Sequence, residues 1–165
     1  MNNAVTKLVT DPISVNVDKK TGKITSTMSV WYAEDTKTGL GFRKSGDKLL
    51  LTLHRSVRGT ADMVYQMDLL PTHSSLHIDF GDGFEAVNVL LCLPTHERTR
   101  ETATPADGQA LLKRLQAGAS EMTVRFQRGD KFRDFVLLRA FADVLASGFA
   151  KAEQAEAKVR ADMKN

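Results

Sequence analysis

The chain has 165 residues, 42% hydrophobic and 26% charged, with a single cysteine and a net charge of +3. One domain of that length buries about two thirds of its open-chain surface, so a core forms without staples and disorder is excluded. The lone cysteine excludes an internal disulfide and a cysteine-built zinc site, and the small basic excess permits a nucleic-acid partner without demanding one.

Ile13, Val15 and Val17 alternate with Ser14 and Asn16, which predicts a half-buried strand. Asp18–Lys23 is turn chemistry, with Gly22 able to take positive φ. Ile24–Tyr32 alternates again, with Ile24, Met28, Val30 and Tyr32 on one face, so the two segments form a hairpin. Thr36–Gly39 and Ser45–Asp47 read as turns around a short strand, Leu40–Arg43. Lys48–Val57 is a strong strand, with Leu49, Leu51 and Leu53 facing one way and Leu50, Thr52 and His54 the other. Arg58–Asp62 turns the chain into a strand over Met63–Leu70, which Pro71 ends.

Leu76, Ile78 and Phe80 alternate with His77 and Asp79, and Gly81–Gly83 makes a tight turn. Phe84–Leu93 reads as a buried strand before Pro94, and Thr95–Thr104 as an exposed polar loop. A helix is predicted over 106–117, closed by Gly118. Strands at Met122–Phe126 and Phe132–Leu138 flank a turn at Arg128–Asp130. From Ala140 the period becomes helical, to about 162, on a stripe of Phe141, Val144, Leu145 and Phe149.

Short strands at regular spacing with helices only near the end predict a mainly β fold, an antiparallel β-sandwich or barrel with one short helix and a C-terminal helix. Residues 1–150 read as a single domain and 151–165 as a helical extension, where only Val159 and Met163 are apolar. The extension either frays into solvent or is held against another surface, most simply a second copy, with those two, one turn apart, as the seam. The longest nearly apolar run, Ala86–Pro94, is too short to span a bilayer, and no leader-like apolar run opens the chain. The expectation is a cytoplasmic protein without a membrane partner.

No phosphate-binding, dinucleotide-binding, serine-hydrolase or zinc-protease motif occurs. His77 and Asp79 share a polar strand face and read as solvated rather than metal-ligating. Asp79, Asp82 and Glu85 surround a glycine-rich turn without the oxygen spacing of a calcium loop. Cys92, set between leucines, reads as a core residue. No catalytic residue, metal or cofactor is therefore expected. The most suggestive polar feature is the basic cluster Arg125, Arg128, Lys131, Arg133 and Arg139, interleaved with Phe126, Phe132 and Phe135. Single-strand nucleic-acid binders use that composition for stacking and phosphate contact. The same pattern also arises when phenylalanines fill a core and arginines face water.

Leu76–Gly83, Leu90–Leu93, Gln109–Gly118, Met122–Gln127 and Phe135–Leu145 follow one another in an order that resembles the bacterial invasion-associated locus B-like family, over about residues 76–145. The resemblance implies a β-sandwich with no catalytic centre; the paired cysteines typical of that family have no counterpart here. The functional expectation is a non-enzymatic binding or interaction protein, with assembly through a protein partner or self-association. Single-stranded nucleic-acid binding along 122–138 is the alternative.

Overall fold

The computed structural model describes residues 8–32, 38–46, 48–56, 75–95 and 100–164. Two short strands, β1 (Leu8–Thr10) and β2 (Ser14–Val17), pair antiparallel with one long strand, β3 (Ile24–Tyr32). Thr10 stands opposite Val30 and Ser14 opposite Thr27, so Asp11–Ile13 bulges against Met28 and Ser29. Pro12 sits in that bulge, at a sheet edge, where a missing N–H costs no ladder bond. The predicted β2–β3 hairpin is present, and Gly22 in its loop takes φ +74°.

The chain continues through β4 (Thr38–Ser45), β5 (Lys48–Ser56), β6 (Ser75–Asp79), β7 (Phe84–Val87), β8 (Val89–Thr95) and β9 (Arg100–Pro105). Helix α1 (Gly108–Gln116), strands β10 (Glu121–Arg128) and β11 (Lys131–Leu138), and helix α2 (Arg139–Met163) complete it. The first sheet runs β1-β3-β4-β5-β9-β8, with β2 also on β3; the second runs β11-β10-β6-β7. Every pair is antiparallel and neither sheet closes, so the fold is mainly β and is not a barrel.

One apolar cluster joins the layers. Leu40, Phe42, Leu49, Leu51 and Leu53 of the large sheet are buried, as are Leu76, Ile78, Val124, Phe126 and Leu137 of the small one. The small sheet and both helices cover the large sheet. The N-terminus of α1 lies so close to β5 that a Cβ on Gly108 would run into the Leu49 carbonyl. Asp107 caps this helix, its Oδ1 accepting the Ala110 N–H at 3.0 Å. Tyr32 donates to the Val136 carbonyl at 2.7 Å and Arg55 to that of Asp134, so two groups of the large sheet fasten β11.

Several expectations need correction. The strand expected over Leu40–Arg43 is eight residues long, and Thr38 and Gly39 of the expected turn belong to it. The expected polar loop contains β9 from Arg100 onward, between β5 and β8. Its Ala103 is fully buried, and the β-branched Thr102 and Thr104 suit a pleated surface. The single buried strand expected over Phe84–Leu93 is two strands in different sheets, divided at Asn88. Both are terminal strands, which is why Phe84, Leu90 and Leu91 are exposed. Cys92 is in the core, as expected. The expected strand over 63–70, with its preceding turn at 58–62, lies outside the described residues.

The C-terminal helix is continuous and docked beyond the stripe that ended at Phe149. Gly148, Ala152 and Glu156 are buried against β3 and β4. A Cβ on Gly148 would strike the Met28 sulfur, so glycine sets the closeness of approach. The Glu156 carboxylate accepts the Ser26 hydroxyl at 2.6 Å and pairs with Lys44 Nζ at 2.9 Å. Arg160 reaches the same carboxylate at 3.5 Å from the solvent side. Residues 151–156 thus belong to the packed domain, because small side chains let the helix approach and one buried charge meets its partner.

Candidate interaction surface

The outer face of the small sheet carries the densest cluster of exposed aromatic and charged groups described. Antiparallel register places Arg125 of β10 opposite Asp134 of β11 on one side and His77 of β6 on the other. Arg125 clamps Asp134 with two bonds, Nε to Oδ1 at 2.7 Å and Nη2 to Oδ2 at 2.9 Å. That fork geometry fits a carboxylate and fixes the guanidinium plane. Phe132 on β11 and Phe84 on β7 then approach from opposite sides of β10, with ring centroids 3.9 Å and 4.1 Å from the guanidinium carbon. The cation is held between two rings, each contact of the cation–π kind. Phe132 remains 56% exposed, Val136 48% and Phe84 42%.

The electrostatics follow from the clamp. Hydrogen bonding from Arg125 holds the Asp134 carboxyl below the usual carboxylate range, against a smaller opposing effect of burial. The same bond raises the Arg125 guanidinium. The pair is internally neutral, so the face presents aromatic edges around a satisfied charge pair rather than a bare cation. His77 Nε2 meets the Ser75 hydroxyl at 3.0 Å. Asp79 is used by its own turn, Oδ1 accepting the N–H groups of Gly81 and Gly83 at 2.8 and 3.0 Å.

The five cations singled out in the sequence are not gathered on one face. Arg125 is on the outer face, whereas Arg133 stands opposite Phe126 in register, on the other side of the hairpin. Arg128 and Lys131 stand opposite each other where that hairpin ends. Arg139 opens α2, donating to the Gly118 carbonyl at 3.3 Å and lying 3.8 Å from Asp143. Val159 is half-buried and Met163 is 53% exposed, one turn apart near the end of α2.

Two open clefts lie elsewhere among the described residues. One of about 550 Å³ lies between the Asp11–Ile13 bulge and α2, over Met28, with Asp143 and Lys151 at its rim. Asp11 there receives the Trp31 indole N–H at 3.1 Å. The other, about 530 Å³, lies on the outer face of the large sheet, among Asn16, Thr25, Thr27, Lys23 and Arg43. Neither lining includes a histidine or a cysteine. Among the described residues, no group of three His, Cys, Asp or Glu is placed to hold a metal ion, and no helix is long and apolar enough to cross a membrane.

Phe84, Asp134 and Val136 were not singled out from sequence. For Asp134 and Val136 the signal was parity: in Phe132–Leu138, Phe135 and Leu137 take the core, which sends Phe132, Asp134 and Val136 outward with Arg125. Comparison with known proteins adds no relative: no family model matches the chain, and neither curated proteins nor solved structures provide a match.

Proposed function

We propose that this is a non-enzymatic interaction protein that assembles through protein–protein contacts, with the outer face of the small sheet as a contact surface. The observation that carries the reading is the Phe84–Arg125–Phe132 stack beside Val136, a rigid and exposed arrangement of the residue types that dominate interface energetics. Its aromatic anchors are already ordered, which lowers the entropy lost on docking. Its charge is already paired, which favours a neutral surface as occupant, and a second copy of the same face is the simplest such surface. The cytoplasm suits a chain whose single cysteine is buried and has no cysteine partner within the chain.

Light scattering over a concentration series tests this. We expect the wild-type mass to exceed the monomer, and Phe84→Ser with Phe132→Ser to lower it while the melting temperature changes little. An unchanged mass in the double variant overturns the face as a contact. Single-stranded nucleic acid is the competing occupant, supported by the aromatic–arginine composition and opposed by the carboxylate that neutralises Arg125. A labelled oligonucleotide bound at low salt, with affinity falling steeply as salt rises, would replace the protein reading with that one.

A further inference from the structure

The cleft on the outer face of the large sheet holds about 530 Å³, and every residue lining it is described. Alternation builds it. On β3, Ile24, Ser26 and Met28 turn to the core, so Thr25 and Thr27 stand outward. On β4, Phe42 and Lys44 turn inward and Arg43 outward. Register sets Arg43 beside Thr27 on one side of β3, and Asn16 of β2 beside Thr25 on the other. Lys23, the residue before β3, stands at the end of the cleft. The two cations here differ from those elsewhere. Lys44, Arg114, Arg125, Arg139 and Arg160 each meet a carboxylate, at 2.7 to 3.8 Å. Among the described residues no carboxylate pairs with Lys23 or Arg43. The hydroxyls of the half-buried Thr25 and Thr27 likewise make no hydrogen bond to the described residues.

We propose that this cleft binds the phosphate group of a small phosphate monoester. Such a group carries about two negative charges at neutral pH, and Lys23 and Arg43 match them. An arginine fork meets two phosphate oxygens at once, while a lysine supplies a compact charge. The Thr25 and Thr27 hydroxyls and the Asn16 amide can donate to the oxygens that remain. Asp18 is the one acid in the lining, and its Oδ1 is occupied by the Lys20 N–H at 2.8 Å. Lys19 and Lys20 of the same turn add two further cations nearby. A nucleic-acid strand fits less well, because each of its phosphates needs a cation along a track. The outward positions beyond Thr27 and Arg43 are Ser29 and Gly41, with Leu50 and Thr52 beside them on β5, and none is charged. The volume falls in the range of small-molecule sites, about 300–1,000 Å³. The site lies on the other sheet from the aromatic face and does not rest on it.

Titration of the full chain by calorimetry and by amide NMR reads the site, with glucose 6-phosphate, inorganic phosphate, sulfate, glucose and a short oligothymidylate as the probes. We expect glucose 6-phosphate and inorganic phosphate to bind, glucose not to bind, and the oligonucleotide to bind no tighter than the ester. Amide shifts should centre on Asn16, Thr25, Thr27 and Arg43. Arg43→Gln and Lys23→Gln should each weaken the ester about tenfold, the scale of a charge-assisted hydrogen bond. Both side chains are exposed and pair with no described carboxylate, so the melting temperature should hold. Lowering the pH from about 7.5 to about 5.5 should weaken the ester and leave sulfate unchanged, because only the ester takes up a proton near about pH 6. No heat and no amide shift with the ester up to about 10 mM, well above a millimolar dissociation constant, overturns the site. Equal affinity in wild type and both variants overturns it too. Inorganic phosphate bound without the ester overturns the monoester as ligand. An oligonucleotide that binds tighter than the ester, and loses affinity in the same variants, replaces it with nucleic acid.

Discussion

Two ion pairs of similar length sit in very different surroundings in this molecule. Lys44 and Glu156 meet at 2.9 Å with side chains 6% and 0% exposed, between the large sheet and the C-terminal helix. Arg125 and Asp134 meet at 2.7 Å with 24% and 33% exposed, on the outer face of the small sheet. The first pair has left water, so Lys44 depends on the carboxylate, and Glu156 on Lys44, the Ser26 hydroxyl and Arg160, in place of solvent. The second keeps part of its water and is screened by it. The contrast separates two jobs for the same chemistry. The buried pair fixes where α2 sits on the sheet; the exposed pair sets the charge and the ring geometry of a surface.

The largest expected effect is therefore at Glu156. Glu156→Ala leaves Lys44 buried without its carboxylate, and removal of one partner from such a pair costs about 3–5 kcal/mol. Thermal unfolding should fall by roughly 6–20 °C for a chain of this size. The double variant Lys44→Met/Glu156→Leu should recover most of that loss, because apolar groups of similar volume need no solvation. If the single variant melts like wild type, the helix is not docked through this pair. Next in size is Gly148→Ala, which drives a methyl group into the Met28 sulfur; overpacking of this kind costs about 1–3 kcal/mol. Met28→Ala in the same protein should make the alanine tolerable, and additive losses on calorimetry would refute the contact.

The same contrast explains what the sequence could say. Alternation gave the hairpins, and the 3.6 period gave both helices, because each element has one apolar face that declares itself. The buried pair is the exception to that rule on both its elements. Ser26 and Lys44 occupy inward strand positions, and Glu156 continues the stripe of Gly148 and Ala152, yet none reads as apolar. Only parity pointed to Ser26, and nothing local tied it to a glutamate 130 residues on. The aromatic face was half legible. Arg125 and Phe132 stood out, but their alternation did not reveal that Phe84 arrives from a strand two places away, or that Asp134 rather than a ligand holds the guanidinium. The run over Phe84–Leu93 was misread because nothing in it announces the break at Asn88 that sends its two halves to different sheets.

Smaller effects on stability, but decisive ones for association, are expected at the exposed pair. Arg125→Lys keeps a cation but loses the fork and the flat stacking surface between Phe84 and Phe132. Melting should move by no more than a few degrees, since exposed pairs contribute about 0–1 kcal/mol. Self-association measured by light scattering should weaken at least as much as in Phe132→Ser if ring order matters. Wild-type association in Arg125→Lys would mean that the rings act without the guanidinium.

The smallest effect on folding concerns acid. Asp134 ionises more readily in the folded protein than in the unfolded chain, chiefly because Arg125 hydrogen-bonds its charged form. A depressed carboxyl contributes stability that is fully present above its unfolded value, near about 3.9, and is lost as pH falls through the lower folded value. Raising the pH from neutrality should change nothing at this site. Asp134→Asn removes the ionisable group, so its melting deficit relative to wild type should be constant above about pH 5 and shrink toward about pH 3. Other carboxylates titrate in the same window, but they titrate in both proteins and cancel in the difference. Association gives the second reading. Without the carboxylate, Arg125 presents an uncompensated cation on each copy of the face, and like charges meet across the contact. Asp134→Asn should therefore dissociate at neutral pH in the way wild type does once acid protonates Asp134, and added salt should partly restore it by screening. A variant that associates normally at pH 7 would show that the charge pair shapes the strand hairpin and not the contact.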